Sequence, residues 1–347
     1  MTHNSLESVL NQWHPVLLSK DLGHQPVGLK ILGKELVLFR TQAGKISALV
    51  DRCCHRGMRL SLGRVETDEI VCPYHAWRYD CHGQVTSPST PQLKARIEHF
   101  ETAEKYGVIW LRQPANSLFP EFDMAGYEPV CTLSHHFAAP LELVLDNFCE
   151  VEHTPATHTF FGYSLEQLQA ITTQIQVGAT SISVSNQGIQ RPLPWLIERG
   201  LNIRAGDTFF DDWTTYFSPV YGIYDHWWKQ QATGERNPQR WRLAILLTPI
   251  DAHNTQVFTL FYSTRIFSRP VFSLVKPVLT FLLDYELKRD RQMLENLADQ
   301  NPDISAMQLG RFDRVLVENR RKLAQLYYQT QPISEVEVPQ TPFSAEV

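Results

Sequence analysis

Two short Cys/His pairs constrain this chain more than any other feature of its sequence. One residue separates Cys53 from His55, two residues separate Cys72 from His75, and sixteen residues lie between the pairs. The short spacing lets one tight loop present two ligands, and the long spacing brings two such loops together. Two thiolates suit one iron and two neutral imidazoles suit a second iron, as in a [2Fe–2S] cluster with mixed ligands. The pattern therefore predicts a metal site built from two loops.

A structural zinc site is the alternative, because Cys₂His₂ tetrahedra are common. Zinc fingers usually open with two cysteines that are two to four residues apart, whereas each half here carries one Cys and one His. Six cysteines in 347 residues are too few for a disulfide scaffold. We expect Cys81, Cys131 and Cys149 to be buried thiols rather than ligands.

The segments CCHRGMRLSLG and CPYHAWRYDCHGQV resemble the two cluster-binding loops of Rieske domains. That family usually has C-P-H-R-G and C-P-Y-H-G-W, and this chain has Cys54 in place of the first Pro and Ala76 in place of the second Gly. Neither change affects a ligand, although Cys54 adds a thiol beside the cluster. The resemblance implies a Rieske-type [2Fe–2S] cluster held by Cys53, His55, Cys72 and His75.

A second set of candidate ligands lies on or near a helix predicted at residues 141–153. At about 100° per residue, Glu150 and His153 share one face of that helix. Pro155 is expected to end or bend the helix, so that His153 and His158 reach one metal ion. Two imidazoles and one carboxylate with open positions form the facial triad of non-haem Fe(II) oxygenases. A surface helix with incidental acids and histidines is the alternative.

The segment LDNFCEVEHTPATH resembles the iron-binding signature of Rieske oxygenase α-subunits, which is usually N-x-x-D-x-x-H-x₄-H. The resemblance implies that His153 and His158 bind a catalytic iron. In that family the preceding acid is a bridging carboxylate, which links the cluster of one subunit to the iron of its neighbour. Here that acid is Glu150, one methylene longer than the usual Asp, and Glu152 is the alternative. A Glu at this position is also familiar from family members that act on quaternary ammonium compounds.

The third iron ligand is expected far downstream in the sequence. The segment KRDRQMLENLADQ resembles the acidic segment of the family, D-x-x-[IM]-L-x-x-Q, and this resemblance implies Asp290. The alternatives Asp284, Glu286 and Glu295 lie one helical turn or more away, and a solvated helix face suits them better.

The resemblance covers essentially the whole chain and implies an α+β fold in two domains. Short, Gly-punctuated strands at about residues 30–112 predict a small antiparallel β domain, and a Pro-containing stretch follows it. We expect a Rieske [2Fe–2S] domain at residues 1–115. A helix-grip-like (Bet v 1-like) catalytic domain with an antiparallel sheet is expected at residues 116–347. The family further implies a head-to-tail homotrimer.

Charge and composition exclude several classes of partner. A net charge of −5 does not predict binding to nucleic acid, which is typical of basic proteins. An apolar stretch at residues 266–287 is interrupted by charged residues and prolines, so it predicts a buried or interfacial helix and not a membrane span. The N-terminus lacks the regions of a secretion signal, and the expected location is cytoplasmic. No G-x-G-x-x-G fingerprint is present, so we expect an external NAD(P)H-dependent reductase, a ferredoxin, or both to supply electrons.

The expected function is that of a Rieske oxygenase, which uses O₂ to hydroxylate or oxidatively demethylate an aromatic or hydrophobic small molecule. Monooxygenation is favoured over dioxygenation. Nine of the twenty residues from 209 to 228 are aromatic; they suit a flat substrate, or a cage for a quaternary ammonium compound. Most of these side chains are expected to be core. An electron-transfer protein without oxygenase activity is the alternative from another class.

Overall fold

The computed structural model describes residues 8–265 and 269–330. Contacts group these residues into two compact units. The first comprises the described residues up to Pro120 together with Thr248–Gln256, and the second comprises the other described residues.

The first unit is a β structure made of two antiparallel sheets. Its strands are β1 (His14–Leu18), β2 (Val27–Ile31), β3 (Lys34–Arg40), β4 (Ile46–Val50), β5 (Arg64–Glu66), β6 (Glu69–Val71), β7 (Arg78–Tyr79), β8 (Val85–Thr86), β9 (His99–Lys105) and β10 (Val108–Arg112). One sheet has the order β1-β10-β9-β4-β3-β2, and the smaller sheet has the order β5-β6-β7-β8.

Strand β3 explains why the cysteine loops lie where they do. Its residues alternate between two faces, and both faces are buried. Leu36 and Leu38 pack in one core together with buried side chains of β2, β4, β9 and β10 of the larger sheet. Val37 and Phe39 pack in a second core that also contains the two cysteines of the loops. The smaller sheet closes this second core, so the two loops are anchored on a rigid hydrophobic base.

The second unit combines one large sheet with helices. The strands of its sheet are β11 (Glu128–Phe137), β12 (Thr172–Val177), β13 (Ser181–Ile189), β14 (Thr208–Phe217), β15 (Val220–Lys229), β16 (Arg236–Asp251) and β17 (Asn254–Ser263). The end of β16 and the start of β17, at Thr248–Gln256, group with the first unit. Its helices are α1 (Leu141–Phe148), α2 (Thr154–Thr157), α3 (Trp195–Leu201), α4 (Arg269–Glu295) and α5 (Arg314–Lys322). The sheet order is β11-β17-β16-β15-β14-β13-β12. The expected α+β class with antiparallel sheets is confirmed.

The helix predicted at residues 141–153 is shorter than expected. Helix α1 begins after Pro140 and ends at Phe148, and Cys149 N–H donates to the Asp146 carbonyl in the last turn (2.9 Å). Pro155 does not break this helix; it lies in the first turn of α2, where its missing N–H has no helical partner to lose. The segment between the two helices is therefore a turn.

Helix α4 is the longest helix of the second unit and packs along β11. The described part of this helix starts at Arg269, within the apolar stretch predicted at 266–287, and residues 266–268 lie outside the described part. No helix in the described part of the chain combines the length and the apolar character needed to cross a membrane.

Candidate metal centres and substrate cavity

The two cysteine loops repeat one backbone pattern. The N–H of Cys53 donates to the Met58 carbonyl and the N–H of Cys72 donates to the Trp77 carbonyl, both at 2.8 Å. The carbonyl of each cysteine then accepts from the residue four positions on, which is Gly57 in one loop and Ala76 in the other. Both of these residues have a positive φ, 72° and 56° respectively. The loops are thus equivalent in structure, and the second places an Ala where the backbone favours Gly.

The four predicted cluster ligands divide into an inner and an outer pair. The thiols of Cys53 and Cys72 are buried, 2% and 1% exposed, and burial raises the pKa of Cys72. The rings of His55 and His75 lie nearer the surface, with centroids 4.5 Å apart. The buried Nδ1 of His55 has no hydrogen-bond partner among the described residues. Two buried sulfurs and two imidazoles nearer the surface, one of them with a ring nitrogen that has no partner among the described residues, fit a mixed-ligand [2Fe–2S] cluster.

Residues around this site hold the ligands in place. The hydroxyl of Tyr79 donates to Sγ of Cys53 (2.9 Å) and accepts from the backbone N–H of Cys54 (3.1 Å). The Trp77 ring stacks on the His55 ring with centroids 4.6 Å apart. The side chain of Cys54 is exposed.

The expected burial of the other cysteines is found for one of three. Cys149 is buried, whereas Cys81 and Cys131 are only partly buried. The two partly buried residues lie on or beside strands whose second face is not fully covered, and burial by residue type alone does not predict that difference.

His153, His158 and Asp290 come together in the second unit. The two histidines flank the short helix α2, one immediately before it and one immediately after it. Nε2 of His158 lies 2.8 Å from Oδ1 of Asp290, and Nε2 of His153 lies 3.5 Å from the same oxygen. One ligand atom from each of the three residues lies within 4.8 Å of the others. Two imidazoles and one carboxylate at this spacing fit a mononuclear iron with open positions.

Asp290 is almost fully buried in this cluster, 3% exposed. Burial alone would raise its pKa, but the neighbouring His158 and His153 lower it below its ordinary value. The carboxylate therefore stays ionised, which is the form that binds a metal ion.

Glu150 lies in the turn between α1 and α2. Its carboxylate contacts Nδ1 of His153 and accepts a hydrogen bond from the backbone N–H of the same residue (3.1 Å). Burial lowers the pKa of His153, but its hydrogen bond to Glu150 and the nearby carboxylate charges of Glu150, Asp290 and Asp211 together raise that pKa above its ordinary value. The alternative bridging acid, Glu152, is exposed.

The other acids of helix α4 are engaged elsewhere. Asp284 pairs with Lys288 and with His135, and Glu295 lies near Arg291. Glu286 accepts hydrogen bonds from the backbone N–H groups of Thr159 and Phe160 through Oε1. Its Oε2 is buried and has no hydrogen-bond partner among the described residues.

A cavity of about 160 Å³ opens beside the histidine pair. Odd-numbered residues of β14 and even-numbered residues of β15 face it, as strand alternation requires. The apolar part of its wall is formed by Phe148, Phe161, Phe209, Trp213, Tyr224, Trp241, Leu243, Ile245, Phe261, Leu279, Leu282, Leu283 and Leu287. The cavity therefore suits a flat apolar molecule.

Three of the nine aromatic residues at 209–228 line the cavity: Phe209, Trp213 and Tyr224. The Phe210 and Trp227 rings stack on each other, with centroids 3.7 Å apart, on strand positions that face away from it. Of three aromatic residues that follow the histidines, Phe161 lines the cavity, and Tyr163 is buried against Phe209.

Sequence reasoning missed a polar pair on the same wall. Nε2 of His226 lies 2.9 Å from Oδ1 of Asp211, and both side chains line the cavity. They are cross-strand partners, because β14 ends and β15 begins around a two-residue turn. Asp211 lies six residues before the end of β14, and His226 lies six residues after the start of β15. Recognition of a two-residue hairpin loop at Ser218-Pro219 would have paired them from the sequence.

Comparisons with known proteins match both units. Residues 12–101 match the family model described as Rieske [2Fe-2S] domain. Residues 137–329 match the model described as vanillate O-demethylase oxygenase C-terminal domain.

Curated relatives match over part of their length. Chlorophyllide a oxygenase, chloroplastic, of Arabidopsis thaliana is 33% identical over 155 residues, which are 43% of this chain and 29% of that protein. Methylxanthine N3-demethylase NdmB of Pseudomonas putida is 33% identical over 168 residues, 42% of this chain and 47% of that protein. The chain thus spans less than half the length of either relative.

Solved structures match nearly the whole fold. Dicamba monooxygenase bound to 3,6-dichlorosalicylic acid superposes with a TM-score of 0.79 at 19% identity, covering 92% of this chain and 98% of that one. A mutant of NdmA from Pseudomonas putida CBB5 with caffeine gives a TM-score of 0.71 at 20% identity, covering 97% and 100%.

Proposed function

Because the chain belongs to the family of Rieske proteins with a vanillate O-demethylase oxygenase C-terminal domain, we propose that it is an oxygenase of small aromatic or hydrophobic molecules. It acts as a monooxygenase. One atom of O₂ enters a C–H bond of the substrate, and the other leaves as water with two electrons and two protons. Insertion into a methyl group of a methoxy or N-methyl substituent leads to demethylation, and insertion elsewhere leads to hydroxylation.

The observation that carries this proposal is the position of His153, His158 and Asp290 at the edge of an apolar cavity. These three residues hold the iron. When bound there, the iron supplies the site at which O₂ is reduced. Glu150 fixes the orientation of the His153 ring through Nδ1, so that Nε2 is presented to the metal.

The size of the cavity limits the substrate. An engineered protein cavity of about 150 Å³ lined by apolar side chains binds benzene, and the volume here is about 160 Å³. A single aromatic ring with small substituents therefore fits, whereas a tetrapyrrole is far too large. Among the relatives, the methylxanthine demethylases and dicamba monooxygenase are named for substrates of one or two small rings. These relatives support a small-ring substrate for this chain, rather than a substrate of the size of chlorophyllide.

Electrons reach the iron from outside the chain. The predicted electron-accepting domain at residues 1–115 carries the cluster on Cys53, His55, Cys72 and His75, and the catalytic domain is predicted at residues 116–347, although Thr248–Gln256 group with the first unit. A reductase, a ferredoxin or both act as donors; the oxidoreductase NdmD of Pseudomonas putida is a relative, 37% identical over 114 residues. Glu150 serves as the bridging carboxylate to the cluster of a neighbouring subunit in a homotrimer. The cytoplasmic location stays a prediction.

Oxygen uptake tests the proposed activity. The purified chain with a surrogate ferredoxin and reductase is offered methoxy- and N-methyl-substituted single-ring aromatics, with betaines as a second panel. We expect uptake and formaldehyde release with members of the first panel. Uptake only with betaines would replace the proposal by the quaternary ammonium alternative, and no substrate-dependent uptake would overturn it.

Iron analysis separates the oxygenase from a plain electron-transfer protein. The oxygenase holds about three Fe per chain, two in the cluster and one at the triad. A His153→Ala/His158→Ala double variant should hold about two, with an unchanged cluster spectrum. Asp284→Asn, a change on the same helix as Asp290 but outside the triad, should keep about three. Two Fe in the wild type would contradict the mononuclear site.

A further inference from the structure

The substrate cavity combines an apolar wall with an excess of carboxylates. Its lining includes Glu150, Asp211, Glu286 and Asp290, and none of the described residues in it is a Lys or an Arg. These four carboxylates carry twice the charge that a bound ferrous ion would neutralise. A cleft lined by one sign of charge and by apolar side chains concentrates ligands of the opposite sign. The wall therefore favours a cation over an anion.

Glu286, on helix α4, presents an oxygen that the fold does not use. Its Oε1 accepts hydrogen bonds from the backbone N–H groups of Thr159 (2.9 Å) and Phe160 (3.0 Å). Its Oε2 is buried and has no hydrogen-bond partner among the described residues. A Gln would accept the same two bonds through its amide oxygen, so the local fold does not require a carboxylate here. A buried acceptor without a donor is unfavourable, and a donor on a bound molecule would remove that cost.

Arg191 lies within electrostatic reach of Glu286 but leaves this oxygen available. Burial lowers the pKa of Arg191, and the charge of Glu286 acts in the opposite direction. The guanidinium donates to the carbonyls of His158 (2.9 Å) and Phe161 (2.6 Å), and Arg191 is not among the residues that line the cavity. It thus offsets part of the charge of Glu286 without donating a hydrogen bond to it.

Asp211 adds a second carboxylate from strand β14. Its Oδ1 is buried and has no hydrogen-bond partner among the described residues, although Nε2 of His226 lies 2.9 Å away. The same lining contains the rings of Phe161, Trp213 and Trp241, and the faces of aromatic rings attract a cation. A cation in this cavity therefore meets carboxylates and aromatic rings together.

The position of Glu286 along α4 relates this carboxylate to the metal site. Glu286 and Asp290 are four residues apart, so they lie on the same face of the helix, about 6 Å apart along its axis. Thr159 and Phe160, which donate to Glu286, directly follow His158 in the chain. A nitrogen held by Glu286 therefore lies close to the triad, where the proposed oxidation takes place.

We propose that Glu286 binds an ammonium N–H of the substrate, so that the substrate class is single-ring aromatics with a protonated secondary or tertiary N-methyl amine. This inference rests on the proposed function, whose substrate class it narrows. A quaternary ammonium compound has the charge but no N–H, so it does not satisfy Oε2 of Glu286. An aromatic carboxylate has the charge that this wall repels. Glu286 is thus a specificity-determining residue, and Asp211 adds to the negative charge of the site.

Equilibrium binding by calorimetry tests this assignment on the oxidised holoenzyme, without electrons or turnover. The probes share one ring and differ in the group on it: N-methylbenzylamine, which is protonated at neutral pH, the benzyltrimethylammonium cation, benzyl methyl ether and phenylacetate. We expect N-methylbenzylamine to bind about ten-fold or more tightly than the ether, as a hydrogen bond to a charged group provides. It should exceed the quaternary cation by a similar factor, because that cation has no N–H. Phenylacetate should bind least tightly.

Glu286→Gln changes the polarity of the free atom with little change in size. The amide oxygen can keep the bonds from Thr159 and Phe160, and the amide NH₂ then stands in place of Oε2 as a donor. The preference for N-methylbenzylamine over the ether should fall by about ten-fold, while the ether binds as before. Glu286→Asp keeps the charge on a shorter side chain and should retain part of the preference. It is measured as well in case the Gln variant does not fold.

Two neighbouring acids give matched controls. Glu295→Gln is the same substitution on the same helix, at an exposed residue that lies near Arg291 and does not line the cavity. It should bind all four probes as the wild type does. Asp211→Asn should reduce the preference for the amine. Asp212→Asn changes the next residue, whose carboxylate bonds Ser185 and Trp227 on the other face, and should leave the preference unchanged.

The outcomes separate this inference from the proposed function. Equal binding of the amine and the ether, an undiminished preference in Glu286→Gln, or tightest binding of phenylacetate would overturn the role of Glu286. Binding of the quaternary cation as tight as that of the amine would overturn the requirement for an N–H. Uptake of oxygen with methoxy-substituted aromatics alongside such a result leaves the proposed function intact. Conversely, the predicted preference in a chain that oxidises no aromatic substrate would support the binding site and contradict the activity.

Discussion

The carboxylate of Glu150 and Nδ1 of His153 are in direct contact within one chain. The same carboxylate accepts the backbone N–H of His153, so side chain and backbone are held together. A histidine whose Nδ1 is held by a carboxylate has its tautomer and its ring orientation fixed, and Nε2 is the atom available to a metal. The contact defines a role for Glu150 inside the chain, in addition to the bridge that we propose between subunits.

Glu150→Gln should separate metal binding from catalysis. The amide keeps the size of the side chain but removes the charge that supports His153. We expect about three Fe per chain and an unchanged cluster spectrum, with turnover reduced by about 10–100-fold. Steady-state oxygen uptake and iron analysis measure the two effects. Glu152→Gln, two residues on and exposed, serves as the control and should turn over normally. Normal turnover of the Glu150 variant would remove this residue from the mechanism.

Ala76 should be a point of conformational strain in the second cluster loop. Its φ of 56° lies in the left-handed region, where a Cβ atom costs roughly 1–2 kcal/mol. Removing the Cβ atom would relieve this cost in the folded state. Because Gly has more conformational freedom than Ala in the unfolded chain, part of the resulting gain in stability is lost. We therefore expect Ala76→Gly to stabilise the folded protein by about 0.5–1 kcal/mol, as measured by denaturant unfolding of the cluster-loaded protein.

Gly57 provides the reciprocal experiment at the equivalent position of the first loop. A Cβ there would come no closer than 3.5 Å to Arg52, so space is available and only the positive φ opposes Ala. Gly57→Ala should destabilise the protein by about 1 kcal/mol. Stabilisation by Gly57→Ala, or destabilisation by Ala76→Gly, would contradict the equivalence of the two loops.

The hydroxyl of Tyr79 should tune the reduction potential of the cluster. It donates to Sγ of Cys53, and hydrogen bonds to cluster sulfurs help to set the potential. Such a bond draws electron density from the sulfur and favours the reduced cluster, so Tyr79→Phe should lower the potential. A net hydrogen bond of about 0.5–1.5 kcal/mol corresponds to about 20–65 mV for one electron.

Cys54 allows a control for that measurement. Its Sγ lies 3.6 Å from the Tyr79 hydroxyl, whereas the bond from that hydroxyl to Cys53 does not depend on it. In protein-film voltammetry, Cys54→Ala should shift the potential less than Tyr79→Phe does. An unchanged potential in Tyr79→Phe would show that the hydrogen bond does not act on the cluster.

Local spacing explains why the cluster loops could be predicted from the sequence. Each loop presents its own Cys and His, and its fold depends on backbone hydrogen bonds that span only four or five residues. The position of Asp290, by contrast, is 132 residues from that of His158. Periodicity could not place it, and the expectation depended on resemblance to a family.

The parts that could not be predicted depend on tertiary context. Local helix propensity predicts one helix from residue 141 through His153. In the structure the helix ends at Phe148, and the chain turns after it. This turn allows the Glu150 carboxylate to contact Nδ1 of His153. The pair of Asp211 and His226 exists only in one strand register, and a slip of one residue would turn His226 away from the cavity. No composition or aromatic count contains that information.

His14 should make the stability of the protein depend on acidity. It is fully buried, its Nε2 contacts the Val9 carbonyl at 2.9 Å, and burial lowers its pKa to about 4. The unfolded chain has the ordinary value of about 6.5, so between pH 6.5 and 4 the unfolded state binds a proton that the folded state does not. Stability is therefore full above pH 6.5 and falls as the pH decreases, by up to about 3 kcal/mol near pH 4.

Urea unfolding at several pH values between 7 and 4 measures this dependence. His14→Gln keeps a donor near Val9 but does not titrate, so its stability should fall less steeply than that of the wild type over this range. His24→Gln, which changes an exposed histidine, should follow the wild-type slope. Because acid also acts on the rest of the protein in every variant, the difference between the His14→Gln and His24→Gln slopes isolates the contribution of His14. Identical slopes would mean that His14 is already charged in the folded protein.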